Sequence, residues 1–367
     1  MPASDGALFR LGHGGGETWR AATEACLGRL GEVPADANVG FVYITDHFAA
    51  NASDIAATLR EATGIDTWSG TAGIGICVTG REYFDEPAVA VLVGVVPDNS
   101  FYSFNADDKG VDKCATGYFG VVHCDPRNPR MPETLAAIAE ATGGYLVGGL
   151  TASRGAYPQI GDGVTDGGIS GILFSDSVGV VTGLSQGCSP IGPAHEVTAC
   201  EGNVIIELDR RPAFEVFCED IGDVLSRDLQ KVAGYIFAAL PVSGVDKPDY
   251  LVRNIMGLDP QAGLIEIAEL LQTGDRIMFC RRDRQSAQAD LQRMLDDLRQ
   301  RAGETAPRAA IYFSCLGRGP NMFGEDSGEL KAIQEALGDV PLVGFFCNGE
   351  ISNARLYTYT GVLSLIL

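Results

Sequence analysis

A cysteine and an arginine follow an apolar, strand-like run in the segment IYFSCLGRG near the C-terminus. Arg318 stands between Gly317 and Gly319, shortly after Cys315. Glycine allows close backbone approach, bare N–H groups bind an oxyanion, and a guanidinium offers two parallel donors to a carboxylate. The pattern predicts a carboxylate-binding cradle at a strand end. The alternative is a tight loop in which Arg318 pairs with a nearby acid such as Asp326.

A second polar group, Asn348, Gly349 and Glu350, ends the apolar run PLVGFFC. If the two strands are neighbours, this group faces the cradle. Glu350 and Asn348 would then receive an ammonium or amide while Arg318 holds a carboxylate, which favours an amino-acid-like zwitterion as the ligand. The alternative is that Glu350 only neutralises Arg318, and the residues leave both interpretations open.

Arg253, Arg282 and Asp283 are secondary ligand-binding candidates, although Asp283 stands where a helix N-cap is expected. Cys315 as a nucleophile would need a base, and the four histidines of the chain all lie outside these motifs. A reactive sensing thiol remains open, because Arg318 would lower the pKa of a neighbouring thiol. The sequence therefore favours a binding protein over an enzyme.

The chain is strongly acidic, with 27 Lys and Arg against 48 Asp and Glu and a formal net charge of −21. Such a surface disfavours nucleic acid and anionic membranes as partners. The N-terminus has no secretory pattern, and the apolar runs are too short for membrane-spanning helices. The ten cysteines include no compact zinc-ligand set, which predicts no metal site and reduced thiols. These features predict a cytoplasmic protein.

Three stretches repeat one pattern of strand, helix, strand and strand, beginning at VGFVYIT, YFGVVH and AAIYFS. Each helix is expected to end at a glycine. In the third copy, Asp326 and Glu329 predict a capping box. The expected helix ends are Gly64, Gly143 and Gly338, and the glycines that align the second strands are Gly70, Gly148 and Gly344.

The repeats predict an α+β fold of mixed and antiparallel sheets that pack against each other with helices outside. The last two strands of each unit are expected to pair as a hairpin, and the continuous apolar strands predict that both sheet faces are covered. A chain of 367 residues predicts two domains. The Gly- and Pro-rich GCSPIGP stretch divides them into an N-terminal extension (1–32), a first domain of two units (33–190) and a second domain (191–367).

The motifs LVRNIMGLDPQAG, GDRIMFCRRD, IYFSCLGRG and PLVGFFCNGEI, in this order, resemble the C-terminal half of the FIST family. The segment from VGFVYIT to SVGVVTGL is similar to its N-terminal half. The resemblance implies a sensory, small-ligand-binding protein of bacterial signal transduction whose output needs a separate signalling protein. Two departures are GEISNAR, where members often have a Gly-Pro turn, and Tyr357, where they often have histidine.

The same resemblance implies an alternative, because some members of the family are haem-binding sensors of gases such as nitric oxide. A haem would need an axial histidine or cysteine. His47 and His123 flank strand ends in the first two repeats and are the candidates. The main expectation is a protein without a cofactor.

Overall fold

The computed structural model describes residues 9–106, 117–226, 229, 232–242 and 249–367. The chain divides into two compact units, the first formed by Met1–Ser185 with Leu291–Leu367 and the second by Gln186–Asp290. The expected domains followed the chain linearly. The compact units divide it differently, since the third repeat belongs to the first unit together with the other two.

The N-terminal part of the first unit contains most of its elements. They are β1 (Phe9–Gly15), α1 (Trp19–Leu30), β2 (Val39–Thr45), a 3-10 helix (Asp46–Asn51), α2 (Ala52–Thr63), β3 (Trp68–Gly73), β4 (Gly75–Val78), β5 (Arg81–Phe84), β6 (Ala88–Gly94), β7 (Phe101–Ala106), β8 (Phe119–Cys124), α3 (Met131–Thr142), β9 (Tyr145–Leu150), β10 (Pro158–Ile160), β11 (Val164–Asp166), β12 (Ile169–Phe174) and β13 (Val180–Gln186).

The second unit and the return to the first follow. The elements are β14 (Cys188–Pro190), β15 (His195–Glu201), β16 (Val204–Leu208), β17 (Arg211–Pro212), α4 (Ala213–Ser226), β18 (Ile236–Pro241), β19 (Tyr250–Arg253), β20 (Ile255–Asp259), β21 (Leu264–Ile267), β22 (Arg276–Arg282), α5 (Arg284–Ala302), β23 (Ala309–Cys315), α6 (Pro320–Phe323), α7 (Gly328–Leu337), β24 (Leu342–Cys347), β25 (Glu350–Ser352), β26 (Arg355–Tyr357) and β27 (Thr360–Ile366).

The three predicted repeats are present in the first unit. In each, a helix joins two parallel strands, which are β2 and β3, β8 and β9, and β23 and β24. The predicted hairpin between the last two strands is wrong. The return strands β6, β12 and β27 pair antiparallel with the first strand of their repeat instead. The free edge of each second strand is occupied by another repeat.

At the free edge of each second strand, a hairpin from another repeat pairs with that strand. The hairpin β4–β5 of the first repeat pairs with β24 of the third. The hairpin β25–β26 of the third pairs with β9 of the second, and β10–β11 of the second pairs with β3 of the first. With β1, β7 and β13 on the opposite edges, three six-stranded sheets result. Phe9–Gly15 therefore belongs to a sheet, although the sequence placed it in an extension.

The sheets pack against each other through one apolar core. Phe41 and Tyr43 of the first sheet meet Val121 of the second and Phe313 and Phe345 of the third in this core. The tyrosine ring stacks on the Phe345 ring with centroids 5.2 Å apart. Since each sheet presents one face to this core, the other face is left for helices.

Helices cover the outer faces. Val42 and Ile44, which alternate with the inward residues of β2, pack in a second core with α1 and α2. Leu135 of α3 and Leu330 of α7 are likewise buried. Strands buried on both faces read as continuous apolar runs. The predicted α+β class, with mixed sheets and outer helices, is confirmed.

The glycines that align the repeats are required for a steric reason. Gly70 lies opposite Val42, Gly148 opposite Val122, and Gly344 opposite Tyr312. A Cβ added at these glycines would lie 1.7, 1.8 and 1.7 Å from the carbonyl oxygen of the facing residue. Any side chain would separate the two parallel strands.

The second unit is built on a nine-stranded sheet that follows the order β19-β18-β22-β15-β16-β21-β20, with β14 and β17 beside β22 and β16. Val216 and Phe217 of α4 pack with Ile205, Ile265 and Phe279 of the sheet in a separate apolar core. Within the described ranges, no helix of either unit combines the length and apolarity needed to cross a membrane.

Candidate functional site

The predicted cradle lies in the connection between β23 and α6. Cys315 is the last residue of β23 and is 8% exposed, and Gly319 has a positive φ of 49°. The Arg318 side chain is completely buried instead of facing solvent. Its Nε and Nη2 atoms each lie 2.7 Å from Oε1 of Glu329. The guanidinium therefore holds a carboxylate that belongs to the chain.

Glu329 is the second residue of α7 and is also completely buried. Its carboxylate accepts hydrogen bonds from the hydroxyls of Tyr312 (2.6 Å) and Ser314 (3.1 Å) and from the N–H of Gly319 (3.0 Å). Arginine and backbone N–H donors thus converge on one anion, as the sequence indicated, and two hydroxyls join them, but no ligand is needed to supply the anion. Burial acts to lower the pKa of Arg318, but the Glu329 charge outweighs it and the net shift is upward.

The alternative interpretation, a loop in which Arg318 pairs with a nearby acid, is the arrangement observed, but two details about the acids are wrong. Asp326 does not pair with Arg318, because its carboxylate lies 2.6 Å from Nζ of Lys331 and is almost fully exposed. The capping box between Asp326 and Glu329 does not form either. Ser327 occupies the N-cap position, and no side chain caps the helix there. Glu329 is directed at Arg318, an electrostatically stronger partner than a backbone N–H.

Glu350 is buried on β25 and does not form the expected pair with Arg318. Its Oε2 accepts hydrogen bonds from the N–H (3.1 Å) and hydroxyl (2.9 Å) of Thr360, and the Cys347 thiol lies 3.5 Å from Oε1. Burial raises the pKa of Glu350 to about 8. Its hydrogen bonds therefore fix the β24–β25 connection within the protein.

Asn348 and Gly349 link the third repeat to the second. The Asn348 N–H donates to the carbonyl of Leu150, and the Leu150 N–H donates to the carbonyl of Gly349, at 3.0 and 2.9 Å. Asn348 is exposed, whereas Arg318 and Glu350 are completely buried. The predicted arrangement of Arg318, Glu350 and Asn348 around one zwitterion is not formed in this structure.

The secondary candidates belong to the second unit. Asp283 precedes α5 and accepts hydrogen bonds from the N–H and hydroxyl of Ser286, both at 2.8 Å, as the expected N-cap. Arg253 lies in β19 with its Nε 2.7 Å from the Glu269 carboxylate. Arg282 ends β22, and its N–H donates to the Tyr235 carbonyl. Asp283 and Arg253 have structural partners within this unit.

His123, one of the two haem candidates, does not fit an axial ligand. Its ring is completely buried, and Nε2 lies 3.0 Å from the Tyr43 hydroxyl. The rings of Tyr43, Phe313 and Phe345 surround it at centroid distances of 5.5 to 6.3 Å. Burial lowers its pKa to about 3, so the ring is neutral. A porphyrin here would displace the centre of the core.

His47, the other haem candidate, lies in the 3-10 helix among charged side chains. Its ring nitrogens are 3.7 and 3.9 Å from the carboxylates of Asp46 and Asp85. Arg154 binds both carboxylates. A porphyrin requires apolar walls, and these neighbours provide none.

A surface cavity of about 490 Å³ lies in the first unit between the β1–α1 connection and β5. Arg29 and Arg81 are exposed at this cavity, as are Glu17 and Glu86. Tyr83 contributes an aromatic wall. The lining residues are His13, Gly14, Gly15, Gly16, Glu17, Ala25, Arg29, Arg81, Tyr83, Glu86 and Pro87.

The cavity places two guanidinium groups around a neutral floor. The Arg81 guanidinium lies 4.2 Å from the Tyr83 ring and 3.9 Å from the Glu86 carboxylate. Arg29 Nη1 and the Tyr83 hydroxyl lie 2.9 and 2.7 Å from Nδ1 of His13. Burial, with the charges of Arg29 and Arg81, lowers the pKa of His13 to about 4. The cavity can therefore contact a carboxylate and an ammonium at once.

The motifs of the sequence did not indicate this cavity. The available signal was the run HGGGE between an apolar strand pattern and a helix pattern. A glycine run at a strand–helix junction is typical of close backbone approach to a ligand or to another element. Arg29 and Arg81 are distant in sequence, so only the fold brings them to this run.

The fold and the site are those of a mixed-sheet protein with a polar surface cavity. Comparison with known families identifies the family to which the chain belongs. Residues 38–211 match the FIST N domain and residues 213–353 match the FIST C domain. The chain belongs to the FIST family, whose domains are sensory, ligand-binding domains of signal transduction.

Its relatives include mycobacterial proteins. An uncharacterized protein of Mycobacterium tuberculosis (strain CDC 1551) is 30% identical over 346 residues, which cover 86% of this chain and 88% of the relative. An uncharacterized protein of Mycobacterium bovis is 34% identical over 213 residues, 56% of this chain and 54% of the relative.

Proposed function

We propose that this protein senses an amino-acid-like, carboxylate-bearing metabolite, which binds in the surface cavity, and that it acts in the cytoplasm on a separate signalling protein. The observation that carries the proposal is the placement of Arg29 and Arg81 with Glu17 and Glu86 around one cavity. This moves the ligand class inferred from the sequence to a different site, since the Arg318 cradle holds Glu329.

The ligand carboxylate would lie between the two guanidinium groups, and its ammonium would face Glu86 or Glu17. A guanidinium pairs with a carboxylate through parallel hydrogen bonds. The cavity volume of about 490 Å³ lies within the usual range for small-molecule sites, about 300 to 1,000 Å³. The aromatic ring of Tyr83 and the backbone at Gly15 would contact the apolar part of the ligand.

The charge of the whole chain also favours a zwitterion. With a formal net charge of −21, the protein repels polyanionic metabolites at distances within the screening length. A zwitterion carries no net charge and approaches freely. The local arginines then act only at short range, where the carboxylate is.

The test is a calorimetric titration with a panel of α-amino acids, their N-acetyl derivatives and their methyl esters. We expect at least one amino acid to bind and both derivatives to bind more weakly, because each lacks one charge. Arg81→Gln should weaken binding about 10- to 100-fold, the effect of losing a charge-assisted hydrogen bond.

Arg10→Gln is the matched control, because Arg10 is an exposed arginine on β1 outside the cavity lining. It should leave binding unchanged. Absence of binding across the panel, or equal binding by the Arg81→Gln and wild-type proteins, would refute the proposed site.

A further inference from the structure

Strand β5 separates the cavity from the buried Arg318–Glu329 pair. Arg81 and Tyr83 line the cavity, whereas Glu82, between them, is buried on the opposite side of the strand. A Cβ added at Gly319 would lie 3.4 Å from Oε2 of Glu82, so this carboxyl group lies beside the Arg318 loop. One short edge strand therefore contacts both regions through alternate residues.

Hydrogen bonds continue from β5 to helix α7. The Glu82 N–H donates to the Ser327 hydroxyl at 3.1 Å, and Ser327 is the N-cap residue of α7 with a φ of 52°. The Ser327 carbonyl accepts from the Lys331 N–H. Two residues after Ser327, Glu329 holds Arg318 and the Gly319 N–H. A displacement of β5 would therefore act directly on the first turn of α7.

The polar groups at this junction are incompletely paired. Both carboxyl oxygens of Glu82 and the Nη1 atom of Arg318 are buried without a hydrogen-bond partner among the described residues. An unpaired buried polar atom destabilises the arrangement that contains it. A shift that brought Glu82 to Nη1 of Arg318 would pair a donor with an acceptor and weaken the hold of Arg318 on Glu329. Such a shift would give the junction a second arrangement.

We propose that β5 couples occupancy of the cavity to the N-terminus of helix α7, with Glu82 as the connecting side chain. This inference rests on the proposed function, since the occupant is the sensed ligand. Helix α6 exposes Asn321, and the connection from α6 to α7 exposes Glu325 and Asp326. A change at the start of α7 would alter this acidic surface, to which the separate signalling protein would bind.

A larger side chain introduced into the cavity by substitution tests the coupling without any ligand. In Gly15→Phe, the new ring fills the cavity against β5, because a Cβ at Gly15 would lie 3.6 Å from Cε1 of Tyr83. Hydrogen exchange across α7, measured by mass spectrometry, should become about tenfold faster in its first turns, the effect of losing one buried hydrogen bond. In Gly15→Phe/Glu82→Leu the exchange should return to that of Glu82→Leu alone.

Gly28→Phe is the control, because Gly28 lies on α1 and a Cβ added there would have no heavy atom within 4 Å. If Gly15→Phe is too unstable to measure, Gly15→Val provides a smaller occupant. Unchanged α7 exchange in the cavity variants relative to Gly28→Phe would refute the coupling. Faster exchange that persists with Glu82→Leu would refute the role of Glu82. Neither result depends on the amino-acid titration, so the two proposals fail separately.

Discussion

Two regions of this protein combine an arginine with neighbouring glycines and carboxylates, and they differ in burial. Arg318 is 0% exposed and pairs with Glu329, which is also 0% exposed. The Arg81 side chain is 52% exposed, and its nearest carboxylate, on Glu86, is 3.9 Å away and 61% exposed. The first region is closed, because its charges pair with each other inside the protein. The second region is open to solvent.

The difference follows from the free energy of desolvation. A charge removed from water must be compensated inside the protein, so a buried arginine needs a buried acid and further hydrogen bonds. Glu329 supplies the buried acid for Arg318, and the hydroxyls of Tyr312 and Ser314 donate hydrogen bonds to that acid. A half-exposed arginine has no such requirement, and water that solvates it can be replaced by a ligand. The arginine most conspicuous in the sequence is therefore the less available one.

The largest expected effect is that of breaking the closed region. Arg318→Met leaves the Glu329 carboxylate buried without its cation, which should lower the free energy of unfolding by about 3–5 kcal/mol. Urea unfolding followed by circular dichroism measures the change.

The double variant Arg318→Met/Glu329→Leu is the control, because it removes both charges. It should recover part of the loss, because no unpaired charge remains buried, although the Tyr312 and Ser314 hydroxyls and the Gly319 N–H lose their acceptor. If Arg318→Met alone cost less than about 1 kcal/mol, as for an exposed pair, the contrast between closed and open regions would be wrong.

The glycines beside the open region provide a second test. A Cβ at Gly14 would lie 2.6 Å from both Cβ of Ala25 and N of Cys26 in α1, whereas at Gly15 the nearest atom is 3.4 Å away. Gly14→Ala should therefore destabilise the protein by about 1–3 kcal/mol through overpacking, and Gly15→Ala should be nearly neutral. Urea midpoints of the two variants measure this. Equal midpoints would mean that Gly14 and Gly15 do not face different surroundings.

The sequence predicted the local elements well, because they depend on neighbours in the chain. The three repeats, their parallel strand pairs and the helix ends at Gly64, Gly143 and Gly338 all follow from apolar periodicity and glycine placement. The exchanged hairpins were missed because the partner strand of each hairpin lies in another repeat. Nothing local distinguishes a hairpin that stays from one that joins the next sheet.

The candidate site shows the same limit. Glu329 was assigned to a helix cap from its spacing to Asp326, but the fold buries Arg318 against it, and the stronger electrostatic partner determines where the carboxylate lies. The cavity was missed because it needs α1, β5 and the glycine run together. Arg29 and Arg81 carry no motif of their own.

The pH dependence of stability provides a third test, which concerns buried carboxyl groups outside the Arg318–Glu329 pair. Burial raises the pKa of Glu350, and that of Glu82, from 4.5 to about 8. Between these values the native state retains protons that the unfolded state loses. The free energy of unfolding should therefore fall as pH rises from about 4.5 to about 8, by at most about 1.4 kcal/mol per pH unit for Glu350.

Urea unfolding at several pH values across this window measures the slope. Glu350→Gln should reduce it, because the amide does not titrate and can still accept from Thr360. Asp54→Asn, at an exposed position on α2, is the control and should leave the slope unchanged. A slope that is unaffected by Glu350→Gln would show that this carboxyl group is already ionised in the native protein.

The smallest expected effect belongs to the open region. Arg81→Gln removes an exposed ion pair with Glu86 and a contact with the Tyr83 ring, each typically about 0–1 kcal/mol. The free energy of unfolding in urea should therefore change by no more than about 1 kcal/mol, while ligand binding falls sharply. This separation of stability from binding is what a site on an open surface requires. If Arg81→Gln destabilised the protein as much as Arg318→Met, the guanidinium of Arg81 would be structural, and the two regions would no longer differ in kind.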